Sequence, residues 1–152
     1  MKSYYFSYGM NTNLEQMSVR CPTAVSLGAA VLPNYAFEFK GFATVEQSPG
    51  NIVHGVLWEI GSEDESSLDR LEGYPYYYDK TNVKVIHDNK LVTAMTYFMY
   101  PEEVLGMPSD NYYNLVADGY EDHDISLDQI NDAIDRVSVN YRLTDDSNGC
   151  IM

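Results

Sequence analysis

The sequence predicts an α+β domain, and three observations carry that prediction. Strand-like apolar runs crowd the stretch from Val25 to Met99, while helical periodicities fall near Leu14, Leu68, Leu115 and Ile130. Turn residues such as Asp88-Asn89 separate neighbouring runs. The 152 residues are enough for one full core. No repeat, low-complexity run or Pro/Gly/Ser-rich linker divides them, so 1–142 reads as a single domain and 143–152 as a polar tail that frays from Leu143.

In chain order, Ser3 to Tyr8 alternates small or polar with aromatic residues, the pattern of a half-buried strand. Gly9 permits a sharp turn, and Asn11, Thr12 or Asn13 can cap the helix that follows. Thr12 with Glu15 fits a capping box; Leu14, Met17 and Cys21 share a face, and Pro22 stops the helix. Val25–Leu32, Tyr35–Phe39, Phe42–Val45 and Ile52–Ile60 read as strands. Ser62 with Glu65 opens a second helix, which Gly73 closes as its C′ residue. Pro75 makes the first half of the Tyr74, Tyr76, Tyr77, Tyr78 cluster a turn. Those rings suit either a pocket mouth or an ordinary strand. Asn82–His87 and Leu91–Met99 form a hairpin, and Ser126 with Gln129 caps the last helix. Its Leu127, Ile130, Ile134 and Val137 make a stripe for the core or an interface.

Two segments invite chemistry. A strand that turns into a helix at Tyr8-Gly9-Met10-Asn11 offers free backbone N–H groups to an anion or a carbonyl oxygen. The same pattern also serves as plain packing with no ligand. In Leu68-Asp69-Arg70-Leu71-Glu72-Gly73, Glu72 lies four residues after Leu68 and therefore points to the apolar face. It also sits at the negative end of the helix dipole. Burial and the dipole would both raise its pKa toward neutrality, where a general acid or base works. Alternatively its stem covers Leu68 and its head stays in water.

Tyr8-Gly9-Met10-Asn11 resembles the Tyr-Gly-Ser-Asn loop of the γ-glutamylcyclotransferase (AIG2-like) family. The run Gly41-Phe42-Ala43-Thr44-Val45 to Gln47-Ser48-Pro49-Gly50, then Val53-His54-Gly55-Val56-Leu57-Trp58, resembles its central strands. Ser67 to Gly73 resembles the helix end that carries its catalytic glutamate. The three stand in order along a match from about Ser3 to about Val137. The resemblance implies a small mixed β-barrel with flanking helices and a catalytic Glu72. It implies substrate binding by Tyr8, Gly9, Met10, Asn11, Thr12 and Tyr112, with Tyr113 one alignment step from that last role. Met10 departs from the family serine and removes a hydroxyl donor.

By the same resemblance a γ-glutamyl amino acid or amine would yield 5-oxoproline and a free amine, as in glutathione metabolism, with no metal or organic cofactor. The γ-glutamylamine branch carries Tyr-Gly-Thr-Leu in the loop, so Asn11 favours γ-glutamyl amino acids. A glutathione-specific enzyme also has Leu there. A non-catalytic binding module on the same fold is the competing class; Met10 speaks for it and Glu72 against it. Partners are then a small molecule and, at most, a second copy in a homodimer.

A net charge of −14, from 23 acidic against 9 basic residues, argues against nucleic acid and anionic membrane surfaces. The acids from Asp118 to Asp135 and at Asp145-Asp146 read as a solvated face. Cys21 and Cys150 form no Cys-x-x-Cys unit, and His54, His87 and His123 are isolated, so neither a metal site nor a triad is indicated. Without a signal-like or membrane-length apolar run, a reducing cytoplasm is the expected setting. Cys150-Ile151-Met152 falls one residue short of a prenylation box. A γ-glutamyl dipeptide is itself anionic, so the field of the chain should oppose its capture. The expected outcome is a kcat/KM that rises with ionic strength; a steep fall in a salt series would mean that local basic groups steer the substrate.

Overall fold

The computed structural model describes the backbone of residues 2–151 and the side chains of residues 2–140. Five strands close into a barrel in the order β1-β3-β2-β4-β5, and helices flank it. β1 is Lys2–Ser7, β2 Val25–Lys40, β3 Phe42–Gly61, β4 Tyr78–His87 and β5 Lys90–Met99. All pairings are antiparallel except β1 with β5, which meet in parallel at Tyr5↔Met95 and complete the mixed ring. The mixed barrel expected from the family resemblance is therefore present.

Where the sequence suggested four short central strands, two long ones form, of 16 and 20 residues. Their pairing shifts register between Ser26 and Gly28 and between Pro33 and Tyr35. Bulges of this kind bend a strand and let it continue round a closed barrel. Asn34, at positive φ, spans the second irregularity by accepting a hydrogen bond from Gly50 N–H at 3.0 Å. The Asp88-Asn89 turn closes β4 and β5 as expected, with both residues at positive φ. β4 begins four residues earlier than expected, directly after the turn at Gly73 to Tyr76.

The helices are α1 (Leu14–Arg20), α2 (Ser62–Glu72), α3 (Asp110–Asp122) and α4 (Asp128–Ile151). Their caps correct the sequence reading in three places. Asn13, not Thr12, caps α1, accepting from Gln16 N–H at 3.0 Å, and Leu14 is exposed. Gly61 occupies the N-cap of α2, and Asp64 rather than Glu65 reaches back to its N–H at 2.9 Å. Ser126 accepts from Asp128 N–H at 3.1 Å, but Gln129 is engaged elsewhere. Its side chain accepts from His54 N–H at 2.8 Å and donates to His54 O at 2.9 Å, so it bonds the β3 backbone as a neighbouring strand would. Gly73 ends α2 in the left-handed region as predicted. In α4, Ile130, Ala133 and Val137 are fully buried, so the apolar stripe belongs to the core. The expected tail, 143–152, lies outside the described side chains.

Phe6, Phe39, Leu57, Leu68 and Tyr120 are among the large side chains sealed in the core. Each apolar side chain of this size contributes about 1.5–3 kcal/mol on burial. α3 presses on the turn after β1: a Cβ added at Gly119 would lie 2.1 Å from Thr12 Oγ1 and 2.6 Å from Asn13 N. Gly119→Ala should therefore overpack that contact by about 1–3 kcal/mol. At roughly 2–4 °C per kcal/mol for a domain of this size, thermal denaturation should show a Tm lower by about 2–12 °C. An unchanged Tm would mean that the turn yields freely.

Candidate active site

Met10–Thr12 form a single 3-10 turn between β1 and α1. Such a start leaves the first N–H groups without intrahelical partners, and the Met10 N–H interacts with the Tyr112 hydroxyl. Gly9 has negative φ, not the left-handed conformation of a tight glycine turn. It is small because space is short: a Cβ would stand 3.0 Å from Tyr112 Oη and 3.1 Å from Ala43 Cβ. Three bonds brace the segment from behind. Tyr120 Oη donates to Tyr8 O at 2.6 Å, Asn13 Nδ2 to Leu115 O at 2.9 Å, and Leu14 N–H to Asp122 Oδ2 at 3.0 Å.

Opposite the turn stands the end of α2. An ionic clamp fixes that helix to the barrel: Lys80 on β4 pairs with Glu65 at 2.7 Å and Asp69 at 2.9 Å, and Tyr97 on β5 donates to Asp69 at 2.6 Å. The Lys80 ammonium also sits 4.5 Å from the centre of the Tyr74 ring. Three residues past Asp69, Glu72 is carried into a cavity of about 710 Å³ at one end of the barrel.

The wall includes Tyr5, Tyr8, Gly9, Met10, Asn11, Glu72 and Tyr112. Five of the six substrate-binding residues expected from the sequence thus meet Glu72 in one cavity. Thr12 does not: it is fully buried, its hydroxyl donating to Gly9 O at 2.7 Å to close the turn. The choice between neighbouring tyrosines also resolves. Tyr112 enters the cavity, while Tyr113 turns to α4 and donates to Asn131 at 2.6 Å. Of the tyrosine cluster, Tyr77 and Tyr78 line the cavity and Tyr76 stands almost wholly in solvent.

Asn11 organises the centre. Its Oδ1 accepts from Arg20 Nη1 at 2.7 Å, which turns Nδ2 toward Tyr5 Oη at 3.1 Å and Glu72 Oε1 at 3.4 Å. The Arg20 Nη2 contacts the Met10 sulfur at 3.8 Å, so the residue that replaces the family serine forms part of the guanidinium's seat. Burial pushes the partly buried Glu72 carboxyl up to about 7, and the Arg20 guanidinium pulls the other way. Burial likewise raises the hydroxyls of Tyr5, Tyr8, Tyr78, Tyr97 and Tyr112, keeping them neutral donors. Tyr8 and Tyr78 spend their protons on Tyr97 O and Ala43 O, at 2.6 and 2.7 Å. Tyr112 Oη accepts from Ala43 N–H at 3.1 Å, leaving its own proton available to a ligand.

Tyr5, Arg20 and Tyr97 escaped the sequence reading. Strand alternation could have marked Tyr5, but its facing depends on how the barrel closes. For Arg20, a cation in the last turn of α1, the ordinary reading is a favourable helix-dipole contact.

Comparison with known proteins then gives four concordant findings. The family profile described as gamma-glutamyl cyclotransferase, AIG2-like, matches residues 5–119. The human gamma-glutamylcyclotransferase is 30% identical over 138 residues, covering 82% of this chain and 73% of that protein. The mouse protein of the same name is 32% identical over 133 residues, covering 78% and 70%. A solved structure named gamma-glutamyl cyclotransferase superposes with a TM-score of 0.77 at 28% identity, covering 84% of this chain and 83% of that one.

A folded-state pKa above the ordinary 4.5 means that ionising Glu72 opposes folding. The cost is fully present above about pH 7, shrinks as pH falls through 7, and is gone below 4.5, where both states are protonated. Glu72→Gln should therefore raise the Tm at pH 8 and lose that advantage by pH 4. Equal stabilisation at both pH values would assign the gain to something other than the charge.

Proposed function

The chain belongs to the gamma-glutamyl cyclotransferase, AIG2-like, family, and on that premise we propose that it converts γ-glutamyl amino acids to 5-oxoproline and the free amino acid. What carries the reading is Glu72: a carboxyl pushed to about 7 inside a cavity, facing a turn that presents hydrogen-bond donors. A base with a pKa near the working pH combines a useful ionised fraction with real driving force for proton transfer.

The substrate supplies its own nucleophile. Glu72 takes a proton from the α-ammonium, and the freed amine attacks the γ-carbonyl to close a five-membered lactam. Each proton the closing nitrogen sheds is one the leaving nitrogen must gain, so a single carboxyl can relay them. Charge develops on the carbonyl oxygen as the ring closes. The Tyr112 proton is the donor available to it, and the Met10 N–H meets that hydroxyl from behind. The cavity accelerates the step further by holding the glutamyl chain curled, which removes the entropy of ring closure from the barrier.

Asn11 supports the γ-glutamyl amino acid branch over the γ-glutamylamine branch. Its amide links Arg20 to Glu72, a connection that leucine at this position would not make. The test is 5-oxoproline release, by mass spectrometry, from a panel of γ-glutamyl amino acids, glutathione and γ-glutamyl-lysine. Wild type should turn over the γ-glutamyl amino acids best, and Glu72→Gln should lose about 10²–10⁴-fold in kcat. In wild type kcat/KM should rise through about pH 7 as Glu72 gives up its proton, then level off. A folded wild type that releases nothing from any substrate would point to a binding module on the same fold.

A further inference from the structure

The cavity holds a cation that takes no part in moving the proton itself. Three basic residues line it: Arg20, Lys40 and Arg70. Lys40 is almost wholly buried and paired with Glu46, and Arg70 is exposed, with a marginal 3.5 Å contact to Ser67 Oγ. Arg20 differs from both. Among the described residues its guanidinium has no carboxylate partner within salt-bridge distance. Two hydrogen bonds among the described residues hold it, to Asn11 Oδ1 at 2.7 Å and to the Met10 sulfur at 3.8 Å. A guanidinium has five N–H donors in a flat fork suited to a carboxylate, so several of them stay uncommitted. Without a carboxylate partner, such a group favours an anionic ligand.

Its placement identifies which anion. Arg20 and Glu72 lie on opposite sides of one asparagine amide, the first donating to its oxygen and the second facing its nitrogen. A positive and a negative group one amide apart, both on the cavity wall, complement a ligand whose own opposite charges sit on a single carbon. A ligand with an ammonium and a carboxylate on one α-carbon offers each of these two groups a charge-assisted hydrogen bond of about 2.8 Å. We propose that Arg20 binds the α-carboxylate of the γ-glutamyl group while Glu72 faces its α-ammonium, so that the site reads the zwitterionic head of the substrate. This deepens the cyclotransferase reading and rests on it for the ligand's identity. Asn11 then has two duties: it holds the two charges apart and fixes the angle between them. Met10, in the place of the family serine, gives the guanidinium a polarisable wall in place of a competing hydroxyl.

The probes are γ-glutamyl-alanine and its analogue with an α-carboxamide, together with 5-oxoproline and 5-oxoprolinamide for binding by calorimetry. Wild type should prefer each carboxylate over its amide by about 10–100-fold, in KM and in Kd, the usual worth of a charge-assisted pair. In Arg20→Met that preference should collapse to within about threefold, and Arg20→Lys should recover part of it. If Arg20 only positions Asn11, both substrates lose equally and the ratio survives, which overturns the proposal. Should Arg20→Met fail to fold, the wild-type ratios alone decide: no preference for the carboxylate overturns it. Failure of the cyclotransferase reading looks different. No γ-glutamyl compound would be turned over, while an Arg20-dependent preference for 5-oxoproline over its amide would still uphold the carboxylate site.

Discussion

Glu72 is held among aromatic rings at the end of a helix, where ionising its carboxyl costs free energy, and much of the surrounding structure serves to keep it there. Left alone, a glutamate in the last turn of a helix extends into water. Here α2 is bolted down by Lys80 and Tyr97 through Glu65 and Asp69, so the next face of the helix has no freedom to roll outward. From the other side Asn11 offers an N–H donor, and Arg20 keeps that amide from flipping. The resulting balance is narrow: enough desolvation to bring the carboxyl to about 7, enough nearby positive charge to stop it from rising further.

Rigidity on the opposite wall has a different origin. The turn from Tyr8 to Thr12 is supported by backbone contacts and by small residues that let elements approach closely. Gly9 leaves room for the Tyr112 hydroxyl, and Gly119 lets α3 lie against the turn itself. Tyr120 and Gln129 continue the brace from α3 and α4 to the carbonyl of Tyr8. Barrel, loop and helices therefore meet in one cavity because each is fixed to a common frame, not because the site residues bond strongly to one another.

Local physics explains what the sequence revealed. The Gly73 terminus, the Asp88-Asn89 hairpin and the apolar stripe of α4 depend on residues near one another in the chain, and all three formed as read. Glu72 was legible for the same reason, since its facing follows from four-residue spacing to Leu68. Long strands were not: β2 and β3 pass through Pro33, Asn34 and Gly50, residues that normally end a strand, because barrel closure pays for the bulges that they make. Capping boxes misled by one residue at α1 and α2, where the competing caps Asn13 and Asp64 were anchored by partners distant in sequence, Leu115 and Thr23. Arg20 was opaque for a related reason, as its significance lies in an asparagine nine positions earlier that only the folded turn brings to it.

The Gln129 side chain bears on how such a site can interrupt a sheet without becoming adhesive. β1 pairs with β3 from Lys2↔Gly61 to Ser7↔Val56, then leaves the sheet to form the turn over the cavity. Past that point β3 would present bare backbone donors and acceptors, an invitation to any passing strand. The carboxamide of Gln129 occupies the donor and acceptor of His54, the next outward-facing position, and seals the seam from the helical side. The chain can thus detach a segment from its sheet to meet a ligand while its margin stays closed to other polypeptides.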